Sequence, residues 1–242
     1  MSKNKIFMFD VDGTLTPPRQ PMTLKFANLF EKFAARRRVF LVSGSDIEKI
    51  KQQIPPGILE KCDGVFGSSG NEYIGKDGSS YINTFKPPSS LVADLENYLE
   101  HSPYGERTGK HIEYRPGMIN FSVVGRNATQ KQRLEYNAWD SKENERRFLT
   151  KRILKKYPAI DAKIGGQISI DIYPRGLDKA QSVEHVRATC DDCSIVFFGD
   201  RTDEEGNDYS VTLVMNEGDV VHAVDSDEDT YLILEDYIKQ DL

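Results

Sequence analysis

The chain has 242 residues, 38% of them hydrophobic and 29% charged. That is enough apolar material for one well-cored α/β domain or for a compact domain carrying a second small one, and it excludes a wholly disordered polymer. A formal net charge of −6 argues against a general nucleic-acid binder, and the apolar runs are too short for a membrane span or a secretory signal, so neither is expected.

The first eighty residues alternate strand and helix signals. Ile6 to Phe9 is a buried-strand run ending in Asp10, and Leu24 to Ala35 repeats apolar residues at helical spacing. Val39 to Val42 predicts a second strand, which ends in Ser43-Gly44-Ser45-Asp46 before a helix over Ile47 to Ile54, and Val65 to Gly67 a third strand. Strands and helices alternating in this way imply a parallel sheet covered on both faces. Lys86-Pro87-Pro88-Ser89-Ser90 then breaks the pattern, ahead of a helix near Leu91 to Leu99. Residues 111–124 read as two strands joined at Arg115-Pro116-Gly117, Asn127 to Asn137 and Glu143 to Tyr157 as amphipathic helices, and Gln167 to Tyr173 as an alternating strand. A helix pair over an antiparallel sheet is expected there. From Gly176 the first pattern returns, with a helix over Lys179 to Thr189, a buried strand Ile195 to Phe198, a strand Val220 to Val224 and a closing helix Asp229 to Ile238. The expected fold is an α/β, Rossmann-like parallel-sheet core from residues 1–83 and 175–242, with an inserted α+β cap domain at 84–174.

Two stretches carry chemistry. Phe9-Asp10-Val11-Asp12-Gly13-Thr14-Leu15-Thr16 places two carboxylates two residues apart just beyond a strand end, where an α/β sheet presents its ligand crevice. A calcium loop counted from Asp10 fails, because Thr14, Leu15 and Pro21 stand where it requires Asp or Asn, Gly and Glu. In the second stretch, Ile195 to Phe198 ends in Gly199-Asp200, and Gly206-Asn207-Asp208 follows. Acids at the ends of two parallel strands can meet around one hard cation, so Asp10, Asp12 and Asp200, supported by Asp208, form a candidate Mg²⁺ site. Residues 191–242 carry 16 Asp and Glu against 2 Lys and Arg; apart from Asp200 and Asp208, these acids read as solvated surface. Three cysteines, Cys62, Cys190 and Cys193, are too few for a disulfide framework and point to a reducing, cytoplasmic setting. Cys190-Asp191-Asp192-Cys193 lacks the further ligands of a zinc site.

Asp-Val-Asp-Gly-Thr, a strand-terminal Ser43, Lys179 and Gly-Asp…Gly-Asn-Asp, in that order, resemble the haloacid dehalogenase superfamily of phosphoryl-transfer enzymes. The resemblance implies that Asp10 is a nucleophile forming an aspartyl-phosphate and Asp12 the general acid/base. It also implies that Ser43 and Lys179 hold phosphoryl oxygens, with Mg²⁺ on Asp10, the Asp12 carbonyl and Asp200. Thr16-Pro17-Pro18-Arg19, Tyr114-Arg115-Pro116-Gly117-Met118-Ile119-Asn120, Val124-Gly125-Arg126-Asn127 and Gly165-Gly166-Gln167-Ile168-Ser169-Ile170-Asp171 are more narrowly similar to the eukaryotic-type phosphomannomutases. Matched residue by residue, that family's substrate-phosphate arginines fall on Arg19, Arg115, Arg126 and Arg133, and its sugar contacts on Ser169 and Asp171. Arginine suits a phosphate that must be gripped without reacting, since its fork is permanently charged and bidentate.

The implied reaction interconverts hexose 1-phosphate and hexose 6-phosphate, with mannose favoured, using a hexose 1,6-bisphosphate activator and Mg²⁺. The implied partners are small sugar phosphates and a second copy of the chain joined through the cap, with neither nucleic acid nor membrane. Ser43 stands where this family commonly has Gly, and a hydroxyl there is also what phosphatases of the superfamily use. A Mg²⁺-dependent sugar-phosphate phosphatase is therefore the alternative reading.

Overall fold

The run Asn4–Phe9 forms strand β1 of a computed structural model that describes residues 4–190 and 192–239. Ile6 to Phe9 are all buried, because β1 lies between two parallel neighbours and both its faces are covered. Next come α1 (Leu24–Ala34), β2 (Arg38–Val42), α2 (Ile47–Gln53), the single turn α3 (Pro56–Leu59) and β3 (Gly64–Gly67). The Thr23 hydroxyl accepts the Phe26 N–H at the start of α1, and the Asp46 carboxylate accepts the Lys49 N–H at the start of α2. Each satisfies a donor that a helix start leaves open. A hairpin absent from the sequence reading follows, β4 (Glu72–Gly75) and β5 (Ser80–Ile82). Since β4 pairs antiparallel with β3, the sheet is mixed, with a parallel body and an antiparallel edge. The hairpin segments are short and flanked by Gly70, Gly75 and Gly78, too brief for a period of two to register.

The chain then builds a second unit from α4 (Ser89–His101), β6 (Ile112–Arg115), β7 (Met118–Phe121), α5 (Gln130–Glu143), α6 (Glu145–Lys156), β8 (Ile160–Gly165) and β9 (Ser169–Pro174). Its four strands run β6-β7-β9-β8, each neighbour antiparallel. Leu91 and Leu95 of α4, Tyr136 of α5, and Leu149 and Ile153 of α6 share one core with Ile119, Phe121, Ile170 and Ile172 of the sheet. Three helices thus cover the sheet where a pair was expected. The first amphipathic helix begins at Gln130 rather than Asn127, because Thr129 and Gln132 cap each other's backbone N–H groups there. β8 was also not anticipated: only three residues separate it from α6, so helical and strand periodicities run together. Side chains alternate across a strand, so Met118, Asn120, Ser169 and Asp171 lie on the sheet face opposite the helices.

The first unit resumes with α7 (Ala180–Ala188), β10 (Cys193–Gly199), the short α8 (Tyr209–Leu213), β11 (Val220–Ala223) and α9 (Asp227–Lys239). Its seven strands run β11-β10-β1-β2-β3-β4-β5. Phe7, Phe9, Leu41 and Phe198 pack with Phe30, Phe33 and Leu234 on one face, and Ile6, Met8, Phe40 and Phe197 with Val183 and Val186 on the other. Burial on both faces is why these strands read as unbroken apolar runs. The two compact units are Met1–Ile82 with Asp178–Leu242, and Asn83–Leu177. Among the described residues no helix is long and apolar enough to cross a membrane. Asp191, in the middle of the Cys190 to Cys193 motif, lies outside the described residues.

Candidate active site

Register brings the first set of residues together. Phe9 stands opposite Leu41 of β2 and Phe198 of β10, so Asp10, Ser43 and Asp200 emerge at one edge of the sheet. At that edge lies the switch point between β1 and β10, where β1 leads to β2 on one side and β10 to the last strand on the other, the usual ligand crevice of such sheets. The loop after β1 is tight: the N–H groups of Leu15 and Thr16 both reach the Val11 carbonyl at 3.0 Å, and the Gly13 N–H donates to the Thr16 carbonyl at 2.8 Å. Gly13 has φ +88°, and a Cβ there would come within 2.5 Å of Asp200 Oδ2, so only glycine lets the loop approach that carboxylate.

Lys179, immediately before α7 and fully buried, donates from Nζ to Asp10 Oδ1 and Asp208 Oδ1, both at 2.5 Å. Asp208 Oδ2 accepts the Arg201 N–H at 3.1 Å. Carboxylate oxygens of Asp10, Asp200 and Asp208 lie within 4.8 Å of one another. Burial pushes Asp10 well above the usual carboxylate range, Lys179 opposes the rise, and Asp208 and Asp200 add to it. Asp200 is pushed up to about 7, first by burial and then by Asp208. Burial alone would lower Lys179, but Asp10 and Asp208 outweigh it and hold the ammonium firmly charged. Three carboxylates against one ammonium leave two negative charges when all are ionised, a hard-oxygen donor set that fits a divalent cation such as Mg²⁺. No cysteine belongs to this cluster.

The Asp12 carboxylate is not part of the acidic cluster. Its Oδ1 accepts the Arg19 N–H at 2.5 Å and Gln53 Nε2 at 2.9 Å, and its Oδ2 accepts the Ser45 hydroxyl at 3.3 Å. Arg19 reaches it from a left-handed backbone position, φ +60°. Gln53, buried at the end of α2, also donates to the Thr16 hydroxyl at 3.1 Å. Neither Gln53 nor Ser45 was singled out from sequence, since a glutamine on a helix face carries no chemical signature by itself. Ser43 is buried, and its hydroxyl accepts the Ser45 N–H at 3.0 Å. Two consecutive left-handed residues, Ser68 and Ser69, support this loop by donating their N–H groups to the carbonyls of Ser45 and Ser43, each at 2.8 Å. Asn71 and Gln181 hold the pair in turn, through the carbonyls of Ser68 and Ser69.

In the second unit, Arg115, Arg126, Ser169 and Asp171 lie around the helix-free face of the sheet. Arg126 Nη1 donates to the Ser169 hydroxyl at 2.8 Å, and Asn120 Nδ2 to Asp171 Oδ1 at 2.5 Å. A Cβ on Gly165 would come within 2.5 Å of Asp171 Oδ2, which ties this glycine to the aspartate beside it. Glu113 Oε2 accepts from Arg115, with Nε at 2.8 Å, and is paired with Arg126 Nε at 3.2 Å. Arg133, on α5, is buried and donates to the backbone carbonyls of Ala128 at 3.0 Å and Arg126 at 3.2 Å. It therefore braces the segment that carries Arg126. Glu113 and Asn120 are additions to the sequence-derived set.

A family model described as eukaryotic phosphomannomutase matches residues 26–240. The chain is 34% identical over 237 residues to a phosphomannomutase of Saccharomyces cerevisiae, covering 95% of this chain and 92% of that one. It is 35% identical over 234 residues to a phosphomannomutase of Spinacia oleracea, covering 93% and 92%. A solved haloacid dehalogenase-like hydrolase from Bacteroides thetaiotaomicron superposes with a TM-score of 0.60 at 13% identity, covering 97% of this chain and all of that one. A trehalose-6-phosphate phosphatase related protein gives a TM-score of 0.55 at 16% identity, with 97% of each chain covered; both likenesses concern the fold alone. With paired aspartates at a strand end, a buried lysine between carboxylates and a full-length match in sequence, the chain belongs to the eukaryotic phosphomannomutase family.

Proposed function

We propose that this chain is a phosphomannomutase that interconverts hexose 1-phosphate and hexose 6-phosphate, with mannose the favoured sugar and a hexose 1,6-bisphosphate as activator. The observation that carries the reading is Lys179, buried between Asp10 and Asp208 with Asp200 beside them, in a chain of this family. A buried carboxylate aimed at a phosphoryl group needs positive charge close by, both to stay ionised and to approach a dianion. Lys179 supplies one such charge. Asp10, Asp200, Asp208 and the Asp12 carbonyl are the groups that would hold Mg²⁺. When bound, that ion supplies charge neutralisation at the transferring phosphoryl oxygens.

Asp10 attacks the phosphorus of the bisphosphate; an O–P bond to its carboxylate forms as the P–O bond to the sugar breaks. Asp12 gives the departing sugar oxygen its proton, held for that task by the Arg19 N–H, Ser45 and Gln53. In the return half, a sugar hydroxyl loses its proton to Asp12 and takes the phosphoryl group, which frees Asp10. Ser43 and Lys179 steady the phosphoryl oxygens; Arg19 is the substrate-phosphate arginine of the first unit, and Arg115 and Arg126, with Arg133 bracing Arg126, are those of the insert. Exclusion of water from the aspartyl-phosphate is what separates this reaction from hydrolysis. A pair of chains joined through the insert completes the reading.

Purified protein with Mg²⁺, mannose 1-phosphate and a hexose 1,6-bisphosphate should yield mannose 6-phosphate in strict dependence on the bisphosphate. Free phosphate as the main product would instead establish the phosphatase reading, which the buried Ser43 hydroxyl favours.

A further inference from the structure

Glu113 precedes Arg115 by two residues on β6, and strand register places it in a polar row. Glu113 stands opposite Asn120, Asn120 opposite Asp171, and Asp171 opposite Lys163. The side chains of Arg115 and Arg126 are only 7% and 8% exposed, and both meet the same Glu113 oxygen. Two buried guanidiniums side by side repel each other and need a counter-charge to stay folded inward. Glu113 meets both guanidiniums and offsets that repulsion. Arg126 is also fixed at a second edge, through Nη1 on Ser169.

We propose that Glu113 is a positioning residue for the distal phosphate: it aligns Arg115 and Arg126 on the helix-free face of this sheet so that a phosphomonoester is gripped there. This rests on the reading of those two arginines as holders of substrate phosphate. Glu113 itself touches no reacting atom. Its charge orients the two forks before substrate arrives, so the binding step does not have to order them.

The test is steady-state kinetics on the full-length Glu113→Gln and Glu113→Asp variants, with mannose 1-phosphate as the varied substrate. Glu113→Gln preserves shape but removes the charge that organises both arginines. Its KM should rise about 10- to 100-fold, the loss expected for hydrogen bonds to a charged group, while kcat falls by less than about threefold. Glu113→Asp, which keeps the charge on a shorter stem, should lie between Glu113→Gln and the parent. A fold defect would lower kcat in proportion to the enzyme lost and leave KM in place, and that result overturns the proposal. A KM that is unchanged or lower in Glu113→Gln also overturns it, since the carboxylate would then be a competitor of phosphate or a bystander. Arg126→Ala is measured in parallel. If it too leaves KM unchanged, the phosphate reading of the insert has failed; if it raises KM while Glu113→Gln does not, only the role of Glu113 is lost.

Discussion

At the ends of β1 and β10, Asp10, Lys179 and Asp208 are each at most 5% exposed as side chains, and Lys179 bonds directly to both carboxylates. On the sheet of the insert, Arg115 and Arg126 share a carboxylate, Glu113, that is 37% exposed. Both regions hold clustered charge, but by different means. The strand-end cluster is assembled from segments as far apart as residues 10 and 208 and is buried apart from the partly exposed Asp200, so each member depends on the others for its charge state. The sheet-face cluster comes from β6 and the turn after β7, and its carboxylate keeps one side toward water, so its members act more independently. Changes at the strand ends should therefore stop chemistry, whereas changes on the sheet face should scale affinity.

Three substitutions, from the largest effect to the smallest, can break that contrast. Asp10→Asn should abolish phosphoryl transfer, with a loss of about 10⁴-fold or more in the rate of product formation. A variant that keeps its rate would place the nucleophile elsewhere. Lys179→Met leaves two buried carboxylates without the ammonium between them. It should cost about 3–5 kcal/mol of stability in urea unfolding, as removal of one partner from a buried pair does, and should also lower kcat sharply. An unchanged unfolding midpoint would mean that the strand-end charges are less interdependent than their contacts indicate. On the insert, Ser169→Ala removes one acceptor from Arg126 and should raise KM about 3- to 10-fold with little change in kcat. A collapse of kcat in that variant would erase the distinction between the two regions.

Much of this architecture was legible in the residues themselves. The apolar runs ending in Asp10, Ser43 and Gly199-Asp200 marked parallel strands with polar ends, because strands buried on both faces admit no polar residue until they leave the sheet. Arg115, Arg126, Ser169 and Asp171 were legible through their motif contexts. The hairpin β4–β5 was not, since its strands are too short and too rich in glycine neighbours to show alternation. Gln53, Glu113 and Asn120 were not legible for a different reason. Each is an ordinary polar residue whose importance lies in what it touches, and its partner is at a distance: Asp12 lies 41 residues from Gln53, and Asp171 lies 51 from Asn120.

The parallel strands of the core, most of the helices and the carboxylate pair after β1 were determined by local pattern, because hydrophobic period and turn chemistry act over a few residues; the arginines of the insert were marked by their resemblance to family motifs. Which charges neutralise one another was decided only by the tertiary structure. The parallel register of β1 with β10, and the return of Lys179 beneath them, turn three separated acids and a lysine into one buried cluster. The antiparallel register of β6, β7 and β9 places Glu113 in the row that leads to Asp171, and the approach of Arg126 gives that carboxylate its second arginine. Coulomb energy depends on separation in space and on the exclusion of water, and neither quantity is written along the chain.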